Sequence, residues 1–214
     1  MRRLLYVVPL IVLAACSADP EPVVEAPVVT EDVITYDIDI SSLDVPYVDY
    51  LNETNPRIAI TFDNYDPIIV ELFPEVAPLT VAQITSLVER NFYDGIIFHR
   101  IIAGFMIQGG DPTGTGGGGS GQQISGEFVA NGVPNRLRHW RGVMSMARSG
   151  DPNSASSQFF IVHQDANFLD GDYAAFGAVI QGFETLDALA NVETNAQDRP
   201  LEDVVMTSVR LIER

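Results

Sequence analysis

Phe98-His99-Arg100-Ile101-Ile102-Ala103-Gly104-Phe105-Met106-Ile107-Gln108-Gly109-Gly110-Asp111 sets one arginine among large apolar side chains and a glutamine, bounded by glycines. A guanidinium is permanently charged and only donates hydrogen bonds. The stretch therefore suits a neutral, apolar ligand that needs one strong donor. Further along, Gln158-Phe159-Phe160-Ile161 again places a glutamine beside large apolar residues.

Outward from these blocks, short apolar runs separated by turn residues read as strands. They fall at 58–62 and 68–73, then around 96–101, 105–108, 142–146, 158–162 and 174–179, with a closing strand near 204–212. Val81, Ile84 and Val88 recur at helical spacing behind Pro78, which predicts a helix over 78–90, stopped by 91–95. A short helix is expected from 183 to about 190. Many strands with only two helices indicate a mainly β barrel or sandwich rather than an alternating α/β sheet. The main domain is expected over 56–214.

The N-terminal part reads differently. Arg2 and Arg3 precede an apolar run from Leu4 to Leu13, too short for an ordinary membrane span and of signal-peptide length. It ends in Leu13-Ala14-Ala15-Cys16, which looks like a bacterial lipobox; residues 1–15 are then a signal peptide and Cys16 a lipidated N-terminus. Cys16 is the single cysteine, so no internal disulfide can form. Ser17 rather than aspartate follows it, which favours the outer membrane over the inner and implies a periplasm-facing lipoprotein. Residues 16–32 alternate prolines with acids and read as an extended tether. Over 33–55, Ile34, Tyr36, Ile38 and Ile40 alternate with polar residues, predicting an extra strand that either edges the main domain or serves as a partner-binding arm. The formal charge of −17 becomes −19 once Arg2 and Arg3 leave with a signal, and no basic cluster offsets it. Nucleic acid is thus excluded as an expected partner.

Several motifs carry bland readings. The run Gly114-Thr115-Gly116-Gly117-Gly118-Gly119 formally satisfies a dinucleotide fingerprint, yet no helix opens after it and no lysine makes it a P-loop, so it reads as a surface loop. His99, His139 and His163 lack metal-ligand spacing, and no nucleophile elbow occurs. His99 should face away from Arg100 along a strand and stays outside the candidate site; His163 reads as structural or solvent-facing. No metal and no cofactor are expected.

The two quoted blocks resemble the core motifs of the cyclophilins, a family of peptidyl-prolyl isomerases, in the same order and over about 57–212. The resemblance implies a closed eight-stranded antiparallel β-barrel with a helix over each open end. It implies Arg100 as the catalytic residue. It also implies a substrate site formed by Phe105, Met106, Gln108, Ala147, Arg148, Gln158, Phe160, Phe168, Leu169 and Tyr173. Phe168 stands where the best-known eukaryotic members have tryptophan, Tyr173 where they have histidine, and Arg148 where many have asparagine. Since that tryptophan is associated with cyclosporin binding, weakened inhibition by the drug is expected. The implied function is rotation of X–Pro bonds in exported proteins by a monomer whose partners are proline-containing, unfolded or partly folded polypeptides. Two other readings stay open: a module that binds proline segments with little turnover, and a lipoprotein that merely carries a ligand.

Overall fold

Apolar residues alternate along the strands because successive side chains point to opposite faces of a sheet. In the computed structural model, which describes residues 36, 38, 40 and 43–213, that alternation builds a single eight-stranded sheet. The elements run β1 (Arg57–Thr61), β2 (Ile68–Leu72), α1 (Pro78–Glu89), β3 (Phe98–Ile102), β4 (Met106–Gly109), β5 (Val143–Met146), β6 (Phe159–Val162), β7 (Ala175–Gln181), α2 (Phe183–Ala190) and β8 (Ser208–Ile212). Their order across the sheet is β3-β4-β6-β5-β7-β2-β1-β8, and every neighbouring pair is antiparallel.

The sheet curls around its core without closing into the expected barrel. β3 and β8 lie at its two ends, and only an isolated bridge between Ile97 and Val205 joins them. Around that bridge Phe98 N–H donates to Val204 O at 2.9 Å and Met206 N–H to Ile96 O at 2.9 Å. The ladder goes no further because the Ile101 N–H is taken by the loop carbonyl of Asp198 at 2.8 Å, while β8 itself pairs with β1.

Ile58, Ile60, Val70, Leu72, Phe159, Ile161 and Phe176 point into the curl, where Ile84, Leu87, Leu186 and Leu189 from the two helices join them. Burying each such side chain contributes about 1.5–3 kcal/mol. The first turn of α1 has no side-chain cap of its own. Instead the buried Glu127 carboxylate accepts the N–H groups of Leu79 at 3.0 Å and Thr80 at 2.8 Å, which satisfies donors that a helix start leaves open.

The described residues belong to one compact unit. The signal peptide, Cys16 and the tether expected over 1–32 lie outside the described residues. None of the described residues between 36 and 55 is in a strand; Tyr36, Ile38 and Ile40 instead pack on Ala59, Ile69 and Ile180, the outward side chains of β1, β2 and β7. Tyr47 is fully buried beside Phe73 and Val143, and its hydroxyl donates to Val179 O at 2.7 Å. A buried cross-strand pair, Arg57 to Glu71 at 2.9 Å, also holds this segment, because Glu71 accepts the Asn52 N–H at 2.7 Å.

Candidate active site

The same alternation that sends Phe159 and Ile161 inward sends Phe160 and Val162 to the outer face of β6. On β4 it leaves Ile107 inside and Met106 outside. Gln108 faces Phe160 across the β4–β6 ladder and Arg100 across the β3–β4 ladder. Arg100 reaches this outer face through a bulge: the register slips between Phe98 and Arg100, so His99 is an extra residue opposite no partner. Without the slip, Phe98 and Arg100 would share a face, yet Phe98 belongs to the core.

These side chains enclose a cavity of about 310 Å³ lined by Arg100, Phe105, Met106, Gln108, Ala147, Arg148, Phe160, Phe168, Leu169 and Tyr173. Met106, Phe160 and Leu169 form its buried apolar floor. Phe168 sits on a short 3₁₀ turn (Asn167–Leu169) at the rim, 72% exposed, its ring 5.4 Å from that of Phe105. No carboxylate lines this cavity, so two guanidiniums dominate its charge within an acidic protein. The Arg148 fork lies 4.7 Å from the centre of the Tyr173 ring and donates from Nε to Asp172 O at 3.0 Å.

Gln158 stands one step away, in an adjoining cavity of about 510 Å³ formed with the glycine loop. Gln108, Ala147 and Arg148 line both cavities. Gln158 Nε2 donates to Gly116 O at 2.9 Å and Gly118 O at 2.8 Å, and its Oε1 accepts from Gln108 Nε2 at 3.0 Å.

Four supports surround the site, and of these the sequence marked only His163, as structural or solvent-facing. Asp198 Oδ2 lies 3.5 Å from Arg100 Nε and does not line the cavity, which leaves the two Nη groups for a ligand. His139 is fully buried and stacks on Phe160 with ring centres 6.0 Å apart. Burial lowers the His139 pKa, against the opposing pull of Asp170. As a neutral ring it donates from Nδ1 to Asp170 Oδ1 at 3.1 Å and accepts the Ser145 hydroxyl at Nε2, 3.0 Å away. His163 accepts the Gly104 N–H at Nδ1, 2.9 Å, so its Nε2 donates to Asp187 at 3.1 Å; this pins the turn that presents Phe105. Asp111 organises the glycine loop. His99 is buried against that loop and does not line the cavity. The sequence offered only isolated histidines and aspartates at these positions, with no spacing to mark them.

A family model described as cyclophilin type peptidyl-prolyl cis-trans isomerase/CLD matches residues 57–211. A peptidyl-prolyl cis-trans isomerase-like 1 of Gibberella zeae is 44% identical over 147 residues, 68% of this chain and 89% of that protein. A Streptococcus pyogenes protein named for both phosphatase and peptidyl-prolyl cis-trans isomerase is 40% identical over 200 residues, 80% of this chain; the chain spans only 42% of that longer protein. Among solved structures, a cyclophilin type isomerase of Cryptosporidium parvum superposes with a TM-score of 0.69 at 35% identity, covering 75% of this chain and 99% of that one. The same protein has also been solved in the presence of the dipeptide Ala-Pro.

Proposed function

The chain belongs to the cyclophilin-type peptidyl-prolyl cis-trans isomerase family, and from that premise we propose that it accelerates X–Pro rotation with Arg100 stabilising the twisted imide. The X–Pro bond is held planar by resonance behind a barrier of about 18–20 kcal/mol, and uncatalysed exchange takes roughly 10–100 s. No bond is made or broken, so the work lies in favouring the twisted form. There the proline nitrogen regains a lone pair. A guanidinium can hydrogen-bond that lone pair only as resonance is lost, which confines the gain to the transition state. The Met106, Phe160 and Leu169 floor grips the ring while the preceding carbonyl swings.

The observation that carries this reading is the placement of Arg100 opposite Gln108, at the edge of an apolar cavity free of carboxylates. Arg2, Arg3, the Leu4–Leu13 run and the sequence Leu13-Ala14-Ala15-Cys16 support a lipid anchor on Cys16, an envelope location facing the periplasm, and exported polypeptides as clients. Mass spectrometry of the mature protein tests the anchor: an unacylated N-terminus at another residue overturns it.

A protease-coupled proline-peptide assay tests the chemistry. Wild-type protein should accelerate isomerisation, and Arg100→Ala should lower kcat/KM by about 100-fold or more, as loss of a transition-state donor does. Wild-type protein that binds proline peptides without accelerating them overturns the proposal in favour of a binding module.

A further inference from the structure

We propose that Asp111 is a positioning residue for isomerisation: through the glycine loop and Gln158 it fixes which end of the Gln108 amide faces the proline pocket. The inference rests on the isomerase reading of that pocket and extends it to a carboxylate outside it.

Asp111 is 1% exposed, and its buried charge is held entirely by the loop that follows. Oδ1 accepts the Thr113 N–H at 2.8 Å and the Thr113 hydroxyl at 2.8 Å. Oδ2 accepts the N–H groups of Thr115 at 3.1 Å, Gly116 at 2.7 Å and Gly118 at 3.1 Å. Burial alone would raise its pKa, but these donors, led by the Thr113 and Gly118 N–H groups, bring it down to about 2. One ionised carboxylate therefore dictates where the Gly116 and Gly118 carbonyls point. The Gly118 position has no room for more: a methyl there would strike Asp111 Oδ1 and Thr113.

The two carbonyls then decide an amide orientation. Both hydrogens of Gln158 Nε2 are taken, by Gly116 O at 2.9 Å and Gly118 O at 2.8 Å. The other end of that amide must be the oxygen, and it accepts Gln108 Nε2 at 3.0 Å. Gln108 in turn has its nitrogen committed. Its oxygen, which takes no hydrogen bond among the described residues, is left for a peptide N–H in the cavity or for the neighbouring Arg100. Were the loop carbonyls to turn away, Gln158 could flip, and the polarity of Gln108 would follow.

A double-mutant cycle separates positioning from plain structural support. Asp111→Asn puts an amide N–H₂ against donors that need an acceptor. It should lower kcat/KM for a proline peptide by about tenfold, the loss of one well-placed hydrogen bond, mostly in kcat because the apolar floor is untouched. Gln158→Leu should produce a similar loss, and the double variant no more than either single one. Gly118→Ala keeps the carboxylate while displacing the loop, and serves where Asp111→Asn melts too low for comparison. Side-chain amide NMR reads the same chain without turnover. The Gln158 and Gln108 amide protons should be exchange-protected in the wild-type protein, and both should lose protection in Asp111→Asn or Gly118→Ala. Activity losses that multiply in the double variant, an unchanged kcat/KM in Asp111→Asn, or amide protons indifferent to both loop variants would each overturn the proposal. Inactive wild-type protein with the expected amide behaviour would instead overturn the isomerase reading while leaving the relay standing.

Discussion

The two cavities that meet at Gln108, Ala147 and Arg148 are built by opposite means. The apolar pocket proposed to hold proline is made of side chains that strand alternation turns outward from β4 and β6, with Met106, Phe160 and Leu169 packed on one another. The neighbouring cavity is walled largely by glycine-loop backbone and by small polar side chains such as Ser154 and Ser156. The first gets its shape from a period of two and from burial, so it is as firm as the sheet beneath it. The second has almost no apolar lining and is held by hydrogen bonds: those of the Asp111 carboxylate, of Gln158 to Gly116 O and Gly118 O, and between Ser120 and Ser156. A pocket shaped by packed apolar side chains and one shaped by hydrogen bonds thus stand side by side, with Gln108 shared between them.

Breaking the first half should cost most. Arg100→Ala should reduce kcat/KM by about 100-fold while leaving the melting temperature almost unchanged, since an ion pair between groups 41% and 44% exposed is worth little. Phe160→Ala should lose both quantities: its ring is 5% exposed and packs against His139 and Tyr173, so about 3 kcal/mol of stability should go with the activity. Chemical denaturation alongside the peptide assay checks the split. An Arg100→Ala protein that unfolds as easily as Phe160→Ala would show the guanidinium to be a structural group.

The sequence revealed the firm half and missed the supports of the polar one. The helix expected over 78–90 is observed as Pro78–Glu89, and the strand expected around 105–108 as Met106–Gly109, because local periodicity and a proline at a helix start are sufficient signals. The ten residues of the cavity were implied by the resemblance rather than by periodicity; they come together because they lie on outward positions of strands or on the turns joining them. The bulge at His99 left no mark, since a slip of one residue is set by the partner strand. Asp198 left none either. It reaches Arg100 from a loop where its own φ is +60°, a conformation that no local pattern of aspartates announces. The seam between β3 and β8 was read as closed because the resemblance implied a complete barrel. Which N–H groups at an edge find a loop instead of a strand depends on contacts far apart in the chain.

Acid should separate the two halves in a definite order. The folded state lowers the pKa of His139 below its ordinary 6.5, burial being the main cause, so its neutral form belongs to the fold. Its contribution is complete above that value and is lost as pH falls below it. Asp111 is likewise lowered, to about 2, so its contribution is complete above the ordinary 3.8 and disappears only as pH falls towards 2. Ring resonances of Phe160, stacked on His139, should therefore shift at a higher pH than any loss of protection at the Gly116 and Gly118 amides. An NMR titration follows both sets at once. Simultaneous changes would mean that the halves are one cooperative unit, and the contrast drawn between them would fall.

The smallest expected effect concerns the rim, where the pocket meets solvent. Phe168 is 72% exposed and lines the pocket from its rim beside the Phe105 ring, so it supplies surface rather than grip. An indole there would add apolar area and an N–H donor at the pocket edge. Phe168→Trp should tighten inhibition by cyclosporin by about tenfold, equivalent to ~1.4 kcal/mol, because a large cyclic ligand spreads across the rim. A small proline peptide is held by the floor, so its kcat/KM should change by less than about twofold. Inhibition titrations on the two proteins, run with one peptide substrate, compare these directly. Equal changes in both measurements would mean that residue 168 belongs to the gripping half, and that the boundary between firm floor and open rim lies further out than the exposure of this ring suggests.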